Sequence, residues 1–145
     1  MYTNILLPTD GSVLAGKAVR HGIELAKQIG AKVTVLTVSP PFHVLTTDTQ
    51  MIEDTPDGYK VRMRHVADET LGAVAILARA TGVACEMIHV EHEHPATAII
   101  DTAESKGCDL IVMASHGRGN LSAIVLGSET ASVLSHSRIP VLVYR

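Results

Sequence analysis

Five short apolar runs alternate along the chain with longer segments of helical period. The runs are rich in β-branched residues and leucine and have few polar interruptions, which is typical of strands covered on both faces. They span 5–7, 33–38, 87–90, 110–114 and 141–143. Between them, apolar positions spaced three and four apart predict helices over about 12–29, 58–81, 95–107 and 128–136. Ser12 is a suitable N-cap for the first helix, and Gly30 stands where a C-terminal glycine is favoured.

This alternation predicts an α/β fold with right-handed crossovers. We expect one domain over 1–145, with an open five-stranded parallel sheet in the order 3-2-1-4-5 and helices on both faces. Such a sheet is Rossmann-like. The 39–57 stretch contains three prolines and no clear period. It is interpreted as a connection, with a ligand-covering loop as the alternative.

The amino-acid composition argues against some classes of binding partner. Twelve basic and 15 acidic residues give a net charge of −3, and the chain has one Phe, three Tyr and no Trp. These features disfavour nucleic acid or anionic lipid as the main partner. No apolar run approaches the length of a membrane span, and no signal peptide is recognised at Met1, so we expect a cytoplasmic protein. Cys85 and Cys108 are expected to be small core residues.

Two unusual loops follow the strands that should meet where the strand order reverses. Ligands bind beyond the carboxyl ends of strands at that point. The loop after strand 1 is Pro8-Thr9-Asp10-Gly11-Ser12, and the loop after strand 4 is Ala114-Ser115-His116-Gly117-Arg118-Gly119-Asn120. Glycines allow backbone N–H groups to approach an anion, Arg118 can supply charge, and Gly127-Ser128 begins a helix. Together these features predict a phosphate site.

The same residues carry a family resemblance over essentially the whole chain. Ser115-His116-Gly117, then Gly127-Ser128, then Ile139-Pro140-Val141-Leu142-Val143 resembles the C-terminal signature of the universal stress protein family. The opening 4–12 and the 31–38 stretch are similar to the first two strands of that family.

This resemblance implies a fold of the adenine nucleotide alpha-hydrolase-like group. It also implies binding of ATP with Mg²⁺ or Mn²⁺ by a stress-response sensor or regulator. Asp10 would lie near the ribose or the metal, Val38 and Thr9 would border the adenine, and the glycine loop would hold the phosphates. The metal would be held through phosphate oxygens, with Asp10 as a possible ligand, and not by the protein alone. The implied nucleotide-binding residues are Pro8, Thr9, Asp10, Val38, Ala114, His116, Gly117, Arg118, Gly119, Gly127, Ser128 and Glu129.

The chain departs from the nucleotide-binding branch at Ala114, where that branch has the first glycine of its pattern. Alanine costs little at a negative φ and much at a positive one. One alternative is therefore a nucleotide-free interaction module. The other is a low-activity ATPase, although no nucleophile, base and orienting group surround His116 in the sequence. The short apolar last strand, Val141–Val143, should lie at a sheet edge, and the resemblance implies a homodimer through it.

Two other motifs are interpreted as structural. Gly11 to Ala18 nearly matches a P-loop, but Ala18 lacks the metal-binding hydroxyl, and a cap at Ser12 would place Gly16 and Lys17 inside the helix. The histidines at 89, 92 and 94 suggest a metal cluster. On an extended segment, however, the first of them points away from the other two.

Overall fold

A computed structural model describes residues 1–43, 55–118 and 125–145 of the chain. Five strands and four helices alternate along it. The strands are β1 (Asn4–Pro8), β2 (Lys32–Ser39), β3 (Cys85–Glu91), β4 (Leu110–Ala114) and β5 (Val141–Tyr144). The helices are α1 (Val13–Ile29), α2 (Pro56–Thr81), α3 (Pro95–Ser105) and α4 (Ser128–His136). None of the helices in these ranges has both the length and the apolar character needed to cross a membrane.

The strands form one parallel sheet in the order β3-β2-β1-β4-β5, which confirms the predicted fold class. Ile5 of β1 pairs with Val33 of β2 on one side and with Leu110 of β4 on the other. The central strands are buried, whereas β3 and β5 are edge strands that alternate between partly covered and exposed positions. The edge strands therefore differ from the prediction that all five runs are covered on both faces.

Helices cover both faces of the sheet because successive strand residues point to opposite sides. α1 and α2 pack on one face through Val19, Ile23 and Leu71, against strand residues such as Val35. α3 and α4 cover the other face, where the buried residues are Leu6, Leu36, Ala96, Ile99, Ala103, Cys108, Ile111, Met113 and Val133. The hydrophobic core is thus two layers separated by the sheet.

Local sequence fixes the ends of α1. The Ser12 side chain accepts a hydrogen bond from the Ala15 N–H, and Gly30 ends the helix in the left-handed conformation with φ 72°. Gly16 and Lys17 accordingly lie inside the helix, and the Gly16 N–H donates to the Ser12 carbonyl at 2.9 Å. No loop is left there to surround a phosphate, so the structure agrees with rejecting the P-loop.

Two boundaries differ from the sequence prediction. β2 continues to Ser39, and α2 begins at Pro56 behind an N-cap at Thr55, so both ends of the 39–57 stretch are regular structure. Residues 44–54 lie outside the described part of the chain.

The two cysteines differ in burial. β3 starts at Cys85, whose side chain is only partly buried. Cys108 is buried as predicted, whereas Cys85 packs against the core with its side chain only partly covered.

The start of β1 is tied to the start of β4 by the Asp109 carboxylate. This carboxylate accepts hydrogen bonds from the Thr3 and Asn4 N–H groups and from the Thr3 hydroxyl, at 2.8–3.1 Å. Slight desolvation alone would raise the pKa of Asp109, but these bonds outweigh it and hold the pKa below the ordinary 3.8. The two strands that carry the unusual loops are thereby held in register at their other ends.

The contact of α1 with β1 yields a stability prediction. A Cβ atom added at Gly22 would collide with the Cδ2 atom of Leu7, which is fully buried, whereas one added at Gly16 would meet nothing within 4 Å. We expect Gly22→Ala to lower the free energy of unfolding by about 1–3 kcal/mol through overpacking. Gly16→Ala should raise it by about 0.5–1 kcal/mol through helix propensity. Urea denaturation measures both, and equal effects would contradict the proposed packing.

Candidate functional site

A cleft opens at the carboxyl ends of β1 and β4, the neighbouring strands at which the order of the sheet reverses. Its volume is about 200 Å³. One wall is apolar and consists of Leu36, Val38, Pro95, Ile99 and Met113. The remaining lining comes from the ends of the two strands and the first turn of α4: Pro8, Thr9, Asp10, Ala114, His116, Gly117, Glu129 and Thr130. The cleft therefore has an apolar side and a polar side, as small-molecule sites commonly do.

Most of the residues singled out from the sequence meet in this cleft. Those that line it are Pro8, Thr9, Asp10, Val38, Ala114, His116, Gly117 and Glu129. Arg118, Gly127 and Ser128 are not part of its lining. Gly119 lies outside the described residues. The two loops are thus brought together as the predicted topology requires.

The Asp10 carboxylate joins the two loops. Its Oδ1 atom accepts from the Ser12 N–H at 2.9 Å, and its Oδ2 atom accepts from the Arg118 N–H at 3.1 Å. A Cβ atom added at Gly117 would lie 2.5 Å from that same Oδ2 atom. Glycine at 117 therefore allows the loop after β4 to lie directly against Asp10.

The Arg118 guanidinium lies over Gly11, beside Thr70 of α2. A Cβ atom added at Gly11 would be 2.9 Å from Arg118 Nη2 and 3.2 Å from Thr70 Oγ1. Gly11 has φ +79°, a conformation that disfavours other residues. In this arrangement the arginine side chain stands beside the cleft and does not line it.

α4 is fixed to β4 by two hydrogen bonds. The Thr130 hydroxyl donates to the Ala114 carbonyl at 2.8 Å, and the Gly127 N–H donates to the Ser115 carbonyl at 2.7 Å. A Cβ atom at Gly127 would lie 3.0 Å from the His116 Cα atom. Glycine is needed here for close backbone approach, since its φ of −62° is ordinary. The Gly127 N–H group is therefore already bonded within the protein. The N–H groups in the first turn of α4 come after it, and such groups have no acceptor within their own helix.

The Glu129 carboxylate links the N-termini of α3 and α4. Glu129 lies in the first turn of α4, and its Oε2 atom accepts from the Ala96 N–H of α3 at 2.9 Å. The N-cap of α3, His94, makes no side-chain capping bond, and the first turn of α3 has no acidic residue. Glu129 therefore caps a helix that lacks a cap of its own.

Five lining residues were not identified from the sequence: Leu36, Pro95, Ile99, Met113 and Thr130. Leu36 and Met113 lie near the ends of predicted strands, on the face opposite α1, so strand alternation could have indicated them. Pro95 and Ile99 come from α3, and only the packing of that helix places them over the cleft.

The alanine at position 114 causes no backbone strain. Within the described ranges, no residue other than glycine has a positive φ, and Ala114 is the last residue of β4. Its side chain packs with Ala15 and Ala18 of α1. The methyl group thus occupies the α1 face of the sheet, whereas the apolar wall of the cleft is on the other face.

The other candidate groups show no catalytic or metal-binding arrangement. The Ser115 hydroxyl is 3.1 Å from His116 Nδ1, but Ser115 is only 3% exposed. His89 Nε2 lies 2.8 Å from the Ser39 hydroxyl, while the rings of His92 and His94 are 6.0 Å apart. No three His, Cys, Asp or Glu side chains among residues 1–43, 55–118 and 125–145 could share a metal ion. Burial raises the pKa of the Cys85 thiol to about 11 and also raises the pKa of Cys108, so both thiols are weak nucleophiles.

Comparison with known proteins agrees with the geometry. Universal stress protein MJ0531 of Methanocaldococcus jannaschii is 33% identical over 100% of this chain and 83% of its own length. The solved structure of MJ0577, a protein of the same organism, matches with a TM-score of 0.83 and 30% identity, over 99% of this chain and 96% of that one. A universal stress protein solved in complex with cAMP matches with a TM-score of 0.72 and 25% identity, over 99% and 97% of the two chains. A model of the Universal stress protein family matches residues 1–145. The chain belongs to the universal stress protein family.

Proposed function

We propose that this protein binds an adenine nucleotide, ATP with Mg²⁺ or Mn²⁺, in the cleft between β1 and β4. Residues 1–145 would act as one domain, and the protein would serve in the cytoplasm as a sensor or regulator in the stress response. The observation that carries the proposal is the two-sided cleft at the reversal of the sheet. Ligands of open parallel sheets bind at this position, and a relative of the same fold was solved with cAMP.

Each side of the cleft suits one part of the ligand. Adenine would lie against Val38 and Thr9, where the apolar wall can cover its face. Asp10 would lie beside the ribose, and the phosphates would extend toward the first turn of α4. The N–H groups at a helix N-terminus and the helix dipole attract anions. A cavity of about 200 Å³ is small for a whole nucleotide, so the phosphates would reach toward solvent.

A divalent cation fits this site only together with the nucleotide. Asp10 offers a carboxylate at the edge of the cleft, but both of its oxygen atoms already accept backbone hydrogen bonds. Mg²⁺ is usually held by one or two carboxylates together with phosphate oxygens and water. In this proposal the cation would neutralise phosphate charge, and the protein would position the nucleotide around it.

Binding with little or no hydrolysis is favoured over an ATPase. The hydroxyl that lies 3.1 Å from His116 Nδ1 is that of Ser115, which is only 3% exposed. The Asp10 carboxylate holds the two loops together and is already engaged in doing so. The argument for a nucleotide-free interaction module was that Ala114 replaces a glycine. Ala114 has a negative φ and packs against α1, so it gives that alternative no support.

A thermal melt tests the proposal directly. ATP with Mg²⁺ at about 100 times its dissociation constant should add about 2.7 kcal/mol to the free energy of unfolding. For a chain of this size the melting temperature should then rise by about 8 °C. AMP should give a smaller rise if the outer phosphates contact the protein. No rise with either nucleotide, in protein shown to be free of bound nucleotide, would contradict the proposal.

Glycine variants locate the site. Gly127→Ala should remove most of this rise because the added methyl group must displace the backbone at His116, which lies against the phosphate region. Gly117→Ala should act in the same direction by displacing the Asp10 carboxylate. Gly72→Ala, in open space on α2, is the matched control. Full ligand stabilisation of both site variants would place the nucleotide elsewhere.

We also propose a homodimer through β5. Within the part of the chain that the structure describes, this strand pairs with β4 alone, and its Leu142 is 44% exposed. An uncovered edge strand with apolar side chains favours pairing with a second copy.

Leu142→Lys should shift the protein from dimer to monomer because a charge on an edge strand opposes pairing. Val61→Lys, at an apolar α2 position that is 71% exposed, is the control. Sedimentation velocity measures the oligomeric state of both variants. A Leu142→Lys protein that remains dimeric, or a wild-type protein that is monomeric, would overturn the β5 interface.

A further inference from the structure

Among the described residues, two acidic side chains line the cleft, Asp10 and Glu129, together with His116 and with no Lys or Arg. The segments 44–54 and 119–124 contain no Lys, Arg or His, so they add no cationic side chain. Arg118 belongs to the loop after β4, but its guanidinium lies over Gly11 and does not line the cleft. Among the described lining groups, phosphates would therefore meet backbone N–H groups, the His116 ring and two carboxylates.

Glu129 lies beside the expected position of the phosphates. Its backbone belongs to the first turn of α4, the turn whose N–H groups would face the phosphates. Its side chain turns toward α3 and accepts the Ala96 N–H, so a negative charge already occupies the region where two helix N-termini converge. An incoming polyphosphate must share this region with that charge.

We propose that Glu129 determines which adenine ligands bind, by opposing phosphate charge that no cation has neutralised. This inference rests on the proposed nucleotide site and specifies its selectivity. Adenosine has no phosphate and is not repelled by Glu129. AMP is repelled weakly, and metal-free ATP is repelled most strongly. Binding of ATP then depends on Mg²⁺, which offsets the repulsion between Glu129 and the phosphates. Like charges a few ångströms apart in a partly hydrated cleft repel enough to change affinity by about tenfold.

Three substitutions separate the charge of Glu129 from its capping role. Glu129→Gln removes the charge, while its amide oxygen can still accept the Ala96 N–H. Glu129→Asp keeps the charge on a side chain too short for the same bond. Glu104→Gln makes the same change in net charge at an exposed position near the other end of α3.

Calorimetric titration with adenosine, AMP and ATP, each in EDTA and in Mg²⁺, gives the ratio of ATP to adenosine affinity. In EDTA, Glu129→Gln should raise this ratio by about tenfold and reduce the gain from Mg²⁺ by a similar factor. Glu129→Asp and Glu104→Gln should keep the wild-type ratio. A loss of capping alone would change the melting temperature without changing this ratio.

The outcomes distinguish the two proposals. If adenosine binds to all four proteins and Glu129→Gln leaves the ratio unchanged, the selectivity role of Glu129 is wrong and the nucleotide site stands. If Glu129→Asp, which keeps the charge, raises the ratio as much as Glu129→Gln does, the charge of residue 129 is not responsible, which also overturns the inference. If wild-type protein binds none of the three ligands in either buffer, the proposed function fails and the inference fails with it.

Discussion

The hydrogen bonds to Asp10 hold the candidate site together. β1 and β4 lie side by side, yet their loops lead in different directions, to α1 and toward α4. One carboxylate bridges them, with an oxygen atom on each loop. Glycine at 117 allows this approach, and Asp109 holds the same two strands at their opposite ends. The two loops that form the polar side of the cleft are therefore joined to each other although they come from separate strands.

The reversal of strand order explains why the site is here. Among the described residues, helices α1 and α2 cover one face of the sheet and α3 and α4 cover the other, and the cleft lies between them at the carboxyl ends of β1 and β4. Two bonds from α4 to the end of β4, from Gly127 and Thr130, then place a helix N-terminus beside an apolar wall. The combination suits a ligand with a flat apolar part and an anionic part, which is the chemistry of an adenine nucleotide. In this account the protein supplies shape and backbone donors, and cations supply the positive charge.

Sequence reasoning predicted the sheet order and most residues of the cleft because those depend on local patterns and on one topological rule. It failed where the outcome depends on contacts between distant residues. The hydrogen bond from the Ala96 N–H to the Glu129 carboxylate joins positions 33 apart in the sequence, and no pattern in either segment predicts it. The loop sequence contains Arg118 but does not show where its guanidinium lies, which is over Gly11 of the other loop. The apolar wall could be predicted only from the packing of α3. The partial exposure of Cys85 could be predicted only from the position of β3 at the edge of the sheet.

The central claim is that an adenine nucleotide occupies the cleft between β1 and β4 with its phosphates at the start of α4. An NMR titration of isotopically labelled protein with ATP and Mg²⁺ tests this most directly, because each backbone amide reports its own surroundings. The account predicts the largest amide shifts at Gly117, Glu129 and Thr130, with methyl shifts at Val38 and Ile99. Shifts confined to the exposed side of α2 and β3, or no shifts at saturating nucleotide, would contradict it.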